Sequence, residues 1–519
     1  MAAPTYGNDL TIYTDASSTT GWAQAVNMYV GGGPDVDTDL AIYGSQCISQ
    51  DRANTGLASM VYTGTGPTLP TNGAFFIWQK FFAPNSLDTE LNGGLRVLVG
   101  STTGDYYGWY IDGSDTYSYG GWVNYAIDPT IGSPDQTQGT PSGVYNTVGI
   151  GWNCINQVKK GNPYNEDIIR YGRGESRFSN GDLANGYANF AGFANLNDNP
   201  TTGRWGLIQE ISGGYLYKGL MSLGLISTPV DFRDQNTSIT IDNTKKVSTN
   251  FNKIEINNIS SNIEMNRISF VSLGTVSPGS LQVVDNATVK FDSCSFTDMT
   301  TFEFQSQTTG QTITFSRCQY VVQSGSTLDS CIFSNMSGSV ALYIDNLNNI
   351  NACDFISDGT GHAMELDSNH AGNSYTLTDF TYNGYGLTGT TDAVIYNNSG
   401  GHVKLTIDGG DTPTVLDGVG ASTEFVTSVI LSLTVKDTNG NPIQDAFAYI
   451  DQDNQSPFIM NTVTNSSGIA TITWTGGEIT TSTWRVRKYG YKPYSLVTNI
   501  PESGSKNIPV TLISDLVQT

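Results

Sequence analysis

The chain has 519 residues and carries 24 Lys plus Arg against 47 Asp plus Glu, a net charge of −23. That balance excludes the basic footprint that a nucleic-acid partner needs, and it repels anionic membranes. No stretch of 10 to 15 residues repeats apolar residues at a helical period and no apolar run approaches 18, so an all-β chain with no membrane-spanning helix is expected. The length suggests about two to four domains.

The first segment begins MAAPTYGNDLTIYTD, which has neither the basic nor the apolar region of a secretory signal. Residues 1–225 hold six of the eight Trp. Runs such as Ala74–Phe82, Gly94–Gly100, Tyr106–Asp112 and Gly121–Ile127 read as strands separated by Gly, Ser and Asp turns, the pattern of an antiparallel sandwich. Their order resembles a concanavalin-like jelly roll. Within it, Tyr107, Trp109, Tyr110, Tyr119 and Trp122 are candidates for stacking on sugar rings; the competing reading is that they are core. Asp105, Asp112 and Asp115 sit where turns form, without the loop spacing of a Ca²⁺ site. The charged run Asn162–Gly174 is read either as a docking loop or as a local ion-pair cluster.

From Asp231 the texture changes to short β-branched runs with Asn corners, taken as a parallel β-helix over 226–425. Six times the chain places an apolar residue, a small or apolar residue three later and an aromatic five later. The instances start at Met265, Phe291, Phe315, Leu328, Ile350 and Tyr375, at steps of 26, 24, 13, 22 and 25 residues. A period of 20-odd residues with strand chemistry signals a solenoid. Polar residues directly after the first apolar one imply a corner, and the residues three and five later share a strand face. The expected internal ladder is Cys294, Cys318, Cys331 and Cys353 with Phe270, Phe296, Tyr320, Phe333, Phe355 and Phe380. Buried thiols are preferred to metal ligands, since no CxxC pair occurs, and to disulfides. The 13-residue step does not fit.

In the tract Asp358–His370, Glu365 and Asp367 lie two apart, as an acid and base on one strand face would. The alternative is a solvated strand face ending in a turn, and no Lys or Arg stands nearby to serve a lyase. Leu416–Glu424 reads as a linker. Residues 426–519 then give strand, Asn439-Gly440 turn and strand, a second turn at Asn465–Gly468, and Trp484–Tyr494. These motifs in this order resemble the carboxypeptidase-regulatory-like (transthyretin-like) sandwich. Arg485, Arg487, Lys488 and Lys492 form a basic stretch, read as a solvated face or as a dock for an acidic neighbour.

The three-part order, with Gly359–Glu365, Gly372–Phe380, Ala393–Gly401 and the Asp437-Thr-Asn-Gly440 turn, is similar to virion structural proteins of tailed bacteriophages: tail fibres, tailspikes and head decorations. The resemblance implies a homotrimer made in the host cytoplasm without a signal, bound to other virion proteins and to host-surface glycans. It implies no cofactor or metal, and architecture rather than catalysis. The alternative is a tailspike depolymerase using Glu365 and Asp367. No P-loop, GxSxG or HExxH motif is present.

Overall fold

The computed structural model describes residues 5–515 apart from 29–33, 51–54, 118–120, 157–163, 181–186, 200–202, 243–252, 274–277, 387–390, 453–457, 476–477 and 502–503. It is all-β with one α-helix among the described residues, and it divides into two compact units, Met1–Leu342 and Tyr343–Thr519.

In the first unit, two antiparallel sheets face each other. One runs, in spatial order, Trp122–Ile127, Ala74–Phe81, Tyr164–Gly172, Cys47–Gln50 and Asp35–Asp37, with Thr11–Thr14 joined to Tyr164–Gly172. The other runs Gln136–Gln138, Asp105–Asp112, Leu95–Thr102, Thr147–Cys154, Gly56–Thr63 and Trp22–Ala23. All four strand runs expected from the sequence are strands. Alternation sends Phe75, Ile77, Val97, Trp109, Ile150 and Trp152 into a dry core between the sheets.

The chain continues as a succession of short strands, most of them hydrogen-bonded in parallel to their counterpart one coil on, in three long sheets. Parallel pairing begins at Glu175–Ser179 with Leu220–Leu223, well before Asp231. The helix Phe190–Asn197 covers apolar rings near this start: Phe193 stacks on Phe178 at 3.8 Å and Phe190 meets Phe232 edge-on at 4.9 Å.

Each coil bends at a non-glycine residue with positive φ. One corner uses Arg267, Ser293, Thr312 and Ser330 (φ 52–55°), and a second uses Asp298, Arg317 and Asn335 (φ 50–56°). This conformation costs an L-residue roughly 1–2 kcal/mol. It persists because the bend amide is not orphaned: Arg267 N–H donates to Asp292 O at 2.8 Å, Ser293 to Gln311 O at 2.9 Å and Arg317 to Ser334 O at 2.9 Å.

This geometry corrects the repeat. Met265, Phe291, Gly310 and Leu328 lie in register in one sheet, while Phe270, Phe296, Phe315 and Phe333 lie in register in the next. Phe315 therefore occupies the fifth position of its coil, whose first position is Gly310. The 13-residue step came from counting a second corner as if it were the first. Apolar, corner and apolar chemistry recurs at both bends, so the sequence pattern cannot tell them apart. A Cβ on Gly310 would lie 2.6 Å from Ile313 and 2.9 Å from Leu328, which is why the apolar side chain is missing there.

The cysteines consequently do not form one ladder. Cys294 and Cys331 follow the first corner and Cys318 the second. All are buried and free, and their thiols donate to backbone carbonyls, Cys294 to Met265 O at 3.4 Å and Cys318 to Phe296 O at 3.4 Å. The Phe rings do stack, 270 on 296 on 315 on 333 at 5.0, 5.5 and 5.1 Å. Tyr320 is only half-buried and stands outside that stack.

In the second unit Cys353 follows the positive-φ residue Ala352, and Phe355 lies in register with Tyr382. The last instance is therefore Leu377-Thr-Asp379-Phe380-Thr-Tyr382, shifted two residues from the Tyr375 start, with its bend at Asp379 (φ 55°). Phe380 takes the small-residue position and still stacks near Phe355 at 6.3 Å. Leu416–Glu424, expected as linker, supplies parts of Val415–Asp417 and Ser422–Thr427, which pair in parallel with Ile395–Asn397 and His402–Ile407.

A sandwich follows, with Ile469–Trp474, Val429–Asp437 and Gly504–Leu512 in one sheet and Met460–Val463, Phe447–Asp451, Ile479–Arg487 and Tyr494–Ile500 in the other. Trp484, Leu433 and Ile450 fill its core. The Asp437 carboxylate accepts the amides of Asn439 and Asn441 and so shapes the Asn-Gly turn.

Candidate functional site

The outer face of the sheet containing Ala74–Phe81 is where the first unit concentrates polar chemistry. Ala74–Phe81 is buried on both faces apart from Lys80, so its first five residues read as an unbroken apolar run instead of an alternating one. Its outward residues lie under two covering segments. One is held by Asp167, whose carboxylate accepts the amides of Ile42 at 2.6 Å and Tyr43 at 2.9 Å. The other is held at the Arg204 carbonyl, which accepts from Trp78 Nε1 at 2.9 Å and from the Arg170 guanidinium at 2.5 Å. Arg170 also stacks on Trp205 at 4.6 Å. Gly206 has φ +73° and touches this face so closely that a Cβ would lie 2.6 Å from the Trp78 ring.

Burial sets the charges here. It pulls the Arg170 pKa down to about 9 and pushes Asp167 up to about 6, against the three amides and the nearby guanidinium that favour the carboxylate. The neighbouring Glu166 faces the opposite way, beside Gln79 in the sandwich core, and burial pushes its pKa well above its ordinary value. The run Asn162–Gly174 is thus interior scaffolding from Asn165 to Arg170, not a docking loop; residues 162 and 163 lie outside the described residues.

Where the cover stops, a cleft of about 420 Å³ remains. Trp78 and Trp122 line it together with aliphatic residues such as Ile208 and Ile211, and Asn195, Gln209 and Glu210 bring polar groups to it. Trp122 is half-buried, and Asn195 and Glu210 are exposed. The half-buried Trp122 indole beside amide and carboxylate groups can pack the apolar face of a sugar ring and hydrogen-bond its hydroxyls, whereas Trp78, 4% exposed, only backs the cleft wall.

Of the four aromatic candidates among the described residues, only Trp122 lines this cleft. Trp109 is 1% exposed in the sandwich core, which rules it out as a stacking surface. Tyr107 packs against the same core, with its hydroxyl toward the Pro141 carbonyl. Tyr110 lies on the other sheet, 4.8 Å beneath the Arg96 guanidinium. Tyr119 lies outside the described residues. The neighbouring aspartates hold turns: Asp105 accepts from Thr102 and Thr140, Asp112 from Tyr125 and Thr116, and Asp115 from the Glu90 amide. Sequence reasoning missed Trp78, Gln209 and Glu210. Only the outward parity of Trp78 with Trp122 across paired strands would have found the first.

Glu365 and Asp367 do not form a free pair. Glu365 accepts from Asn398 Nδ2 at 2.9 Å. Asp367 caps the short helix Ser368–His370, accepting the Asn369 amide at 3.0 Å and meeting His370 Nδ1 at 2.9 Å. His362 bonds the Ala393 carbonyl at 2.6 Å and stacks on Tyr396, and His370 is fully buried. A second groove, of about 680 Å³ along the coils of the first unit, contains Asp298 and Arg317 paired with each other at 2.7 and 2.8 Å.

No protein-family profile matches the chain, and no curated protein does. Some solved structures show slight likeness. A family 22 xylan-binding domain from Paenibacillus barcinonensis is 14% identical over 31% of this chain and 93% of its own, with a TM-score of 0.20. The catalytic domain of a GH87 α-1,3-glucanase in complex with nigerose is 10% identical over 80% of this chain and 85% of its own, with a TM-score of 0.20. The 3-chlorocatechol 1,2-dioxygenase of Rhodococcus opacus 1CP is 13% identical over 17% and 60%, with a TM-score of 0.14. The chain spans 60% of that dioxygenase and 19% of the Bacillus anthracis TIE protein. At these scores none carries fold or function over to this chain.

Proposed function

We propose that this is a non-catalytic attachment protein, a homotrimeric appendage or decoration of a tailed-bacteriophage particle, whose N-terminal sandwich holds a host-surface glycan in the Trp78–Trp122 cleft. The observation that carries the glycan part is that cleft: the half-buried Trp122 indole, backed by Trp78, with Asn195, Gln209 and Glu210 in the same lining. The virion part rests on the three-part resemblance and on the coils, whose continuous main-chain ladders suit a strut. The titratable groups Glu365 and Asp367 are occupied in local hydrogen bonds, which favours attachment over depolymerisation.

The test is calorimetric titration with purified host-surface polysaccharide. Wild type should bind with no release of reducing or unsaturated ends, and Trp122→Ala should weaken binding at least tenfold at an unchanged melting temperature. Binding unaffected by Trp122→Ala would overturn the cleft assignment, and glycan cleavage would replace attachment with depolymerisation. Immunogold labelling of purified particles addresses location; label confined to the host envelope would sink the virion reading.

A further inference from the structure

The C-terminal sandwich leaves one sheet face uncovered. On Met460–Val463, Phe447–Asp451, Ile479–Arg487 and Tyr494–Ile500, the outward residues include Phe447 and Val497, each 61% exposed, and Val463, 43% exposed. Phe458, 44% exposed, packs its ring 5.8 Å from Tyr449. A sheet that buries one face normally makes the other polar, so the exposed Phe447–Val463 pair and Val497 on the second face mark a contact surface.

The face is also cationic. Arg485 and Arg487 both stand over the Tyr449 ring, at 5.8 and 5.7 Å. Beside them a hollow of about 450 Å³ is formed by Phe447, Arg487, Lys488, Tyr489 and Asp445. Among the described residues the carboxylates here are Asp451, buried and paired with Arg485, and Asp445 in the lining of the hollow. Aromatic residues plus Arg around a hollow is the composition of a binding hot spot.

Charge identifies the occupant. Residues 428–519 hold six Lys or Arg and seven Asp or Glu, a net of −1, so residues 1–427 carry the remaining −22. Two copies meeting face to face would set Arg487 against Arg487. A head-to-tail contact sets the cationic face against an acidic surface, and contacts of that kind form a ring where the rotation between copies closes.

We propose that this sheet face docks on the acidic N-terminal 427 residues of a second copy, and so builds the trimer of the reading above, on which the ring closure rests. The measurement is light-scattering mass of the full chain in about 0.05 M and about 0.5 M NaCl, across which charge-led association weakens. Wild type should be trimeric at low salt. Phe447→Ser combined with Arg487→Glu, both at exposed positions, should weaken association at least tenfold with an unchanged circular-dichroism spectrum. Thr473→Glu, on the other sheet of the same sandwich, should assemble as wild type. A trimer that persists in the double variant overturns this face and leaves the trimer reading standing. A wild-type monomer at low salt overturns both, while leaving the glycan titration as a separate test.

Discussion

The N-terminal sandwich and the coils that follow it handle polar residues in opposite ways. The coils put them outside, at bends, where each serves the local backbone and the bend amide bonds the next coil. The sandwich buries them: Asn165, Glu166, Asp167 and Arg170 are all fully inaccessible within six residues of one strand. A repeated coil is specified by short-range pattern and tolerates a polar face everywhere. A sandwich with covering segments is specified by single, unrepeated contacts, and those contacts are where a cleft can be left open.

The largest effect expected from this contrast is in the coil core. Phe296 is stacked between Phe270 and Phe315 and is fully buried, so Phe296→Ala should cost about 3–5 kcal/mol by urea denaturation. Next comes the pH response of the sandwich. Asp167 and Glu166 bind protons more tightly folded than unfolded, so their contribution is complete below the unfolded carboxylate pKa and is lost as pH rises through the folded values. The displacement of Asp167 from 3.8 to about 6 corresponds to at most about 3 kcal/mol lost between acid and neutral pH. Glu166→Gln should therefore match wild type below about pH 4 and exceed it above about pH 6, in melts taken across that range. A variant less stable than wild type at neutral pH would show that Glu166 has a partner worth keeping ionised.

Much of the architecture was legible because it is periodic. Strand alternation gave both sandwiches, and the polar-corner pattern gave the coil. The phase of the coil was not legible, because Phe315-Ser-Arg317-Cys318 at the second corner has the same chemistry as Phe291-Asp-Ser293-Cys294 at the first. The cleft was legible only at Trp122. In the run around Tyr107, Trp109 and Tyr110, inward and outward aromatics are chemically alike, and only the pairing of Leu95–Thr102 with Asp105–Asp112 decides which is core. Gln209 and Glu210 come from a strand about ninety residues away and carry no local signal. Glu365 and Asp367 misled because a carboxylate that caps a turn and one that moves a proton have the same spacing in a sequence.

The smallest effects test the bends themselves. Ser330 holds φ +54° and Arg317 holds φ +52°, so a glycine at either place removes the left-handed penalty. Glycine also frees the unfolded chain, which offsets roughly 0.5–1 kcal/mol of that gain. Ser330→Gly should accordingly stabilise the coil by up to about 1 kcal/mol in thermal melts. Arg317→Gly also gives up the two-pronged pair with Asp298, an exposed contact contributing at most about 1 kcal/mol, so its gain should be smaller or absent. If both substitutions destabilised the coil equally, the bend would depend on side chains, and the claim that main-chain bonding between coils holds these residues in place would fail.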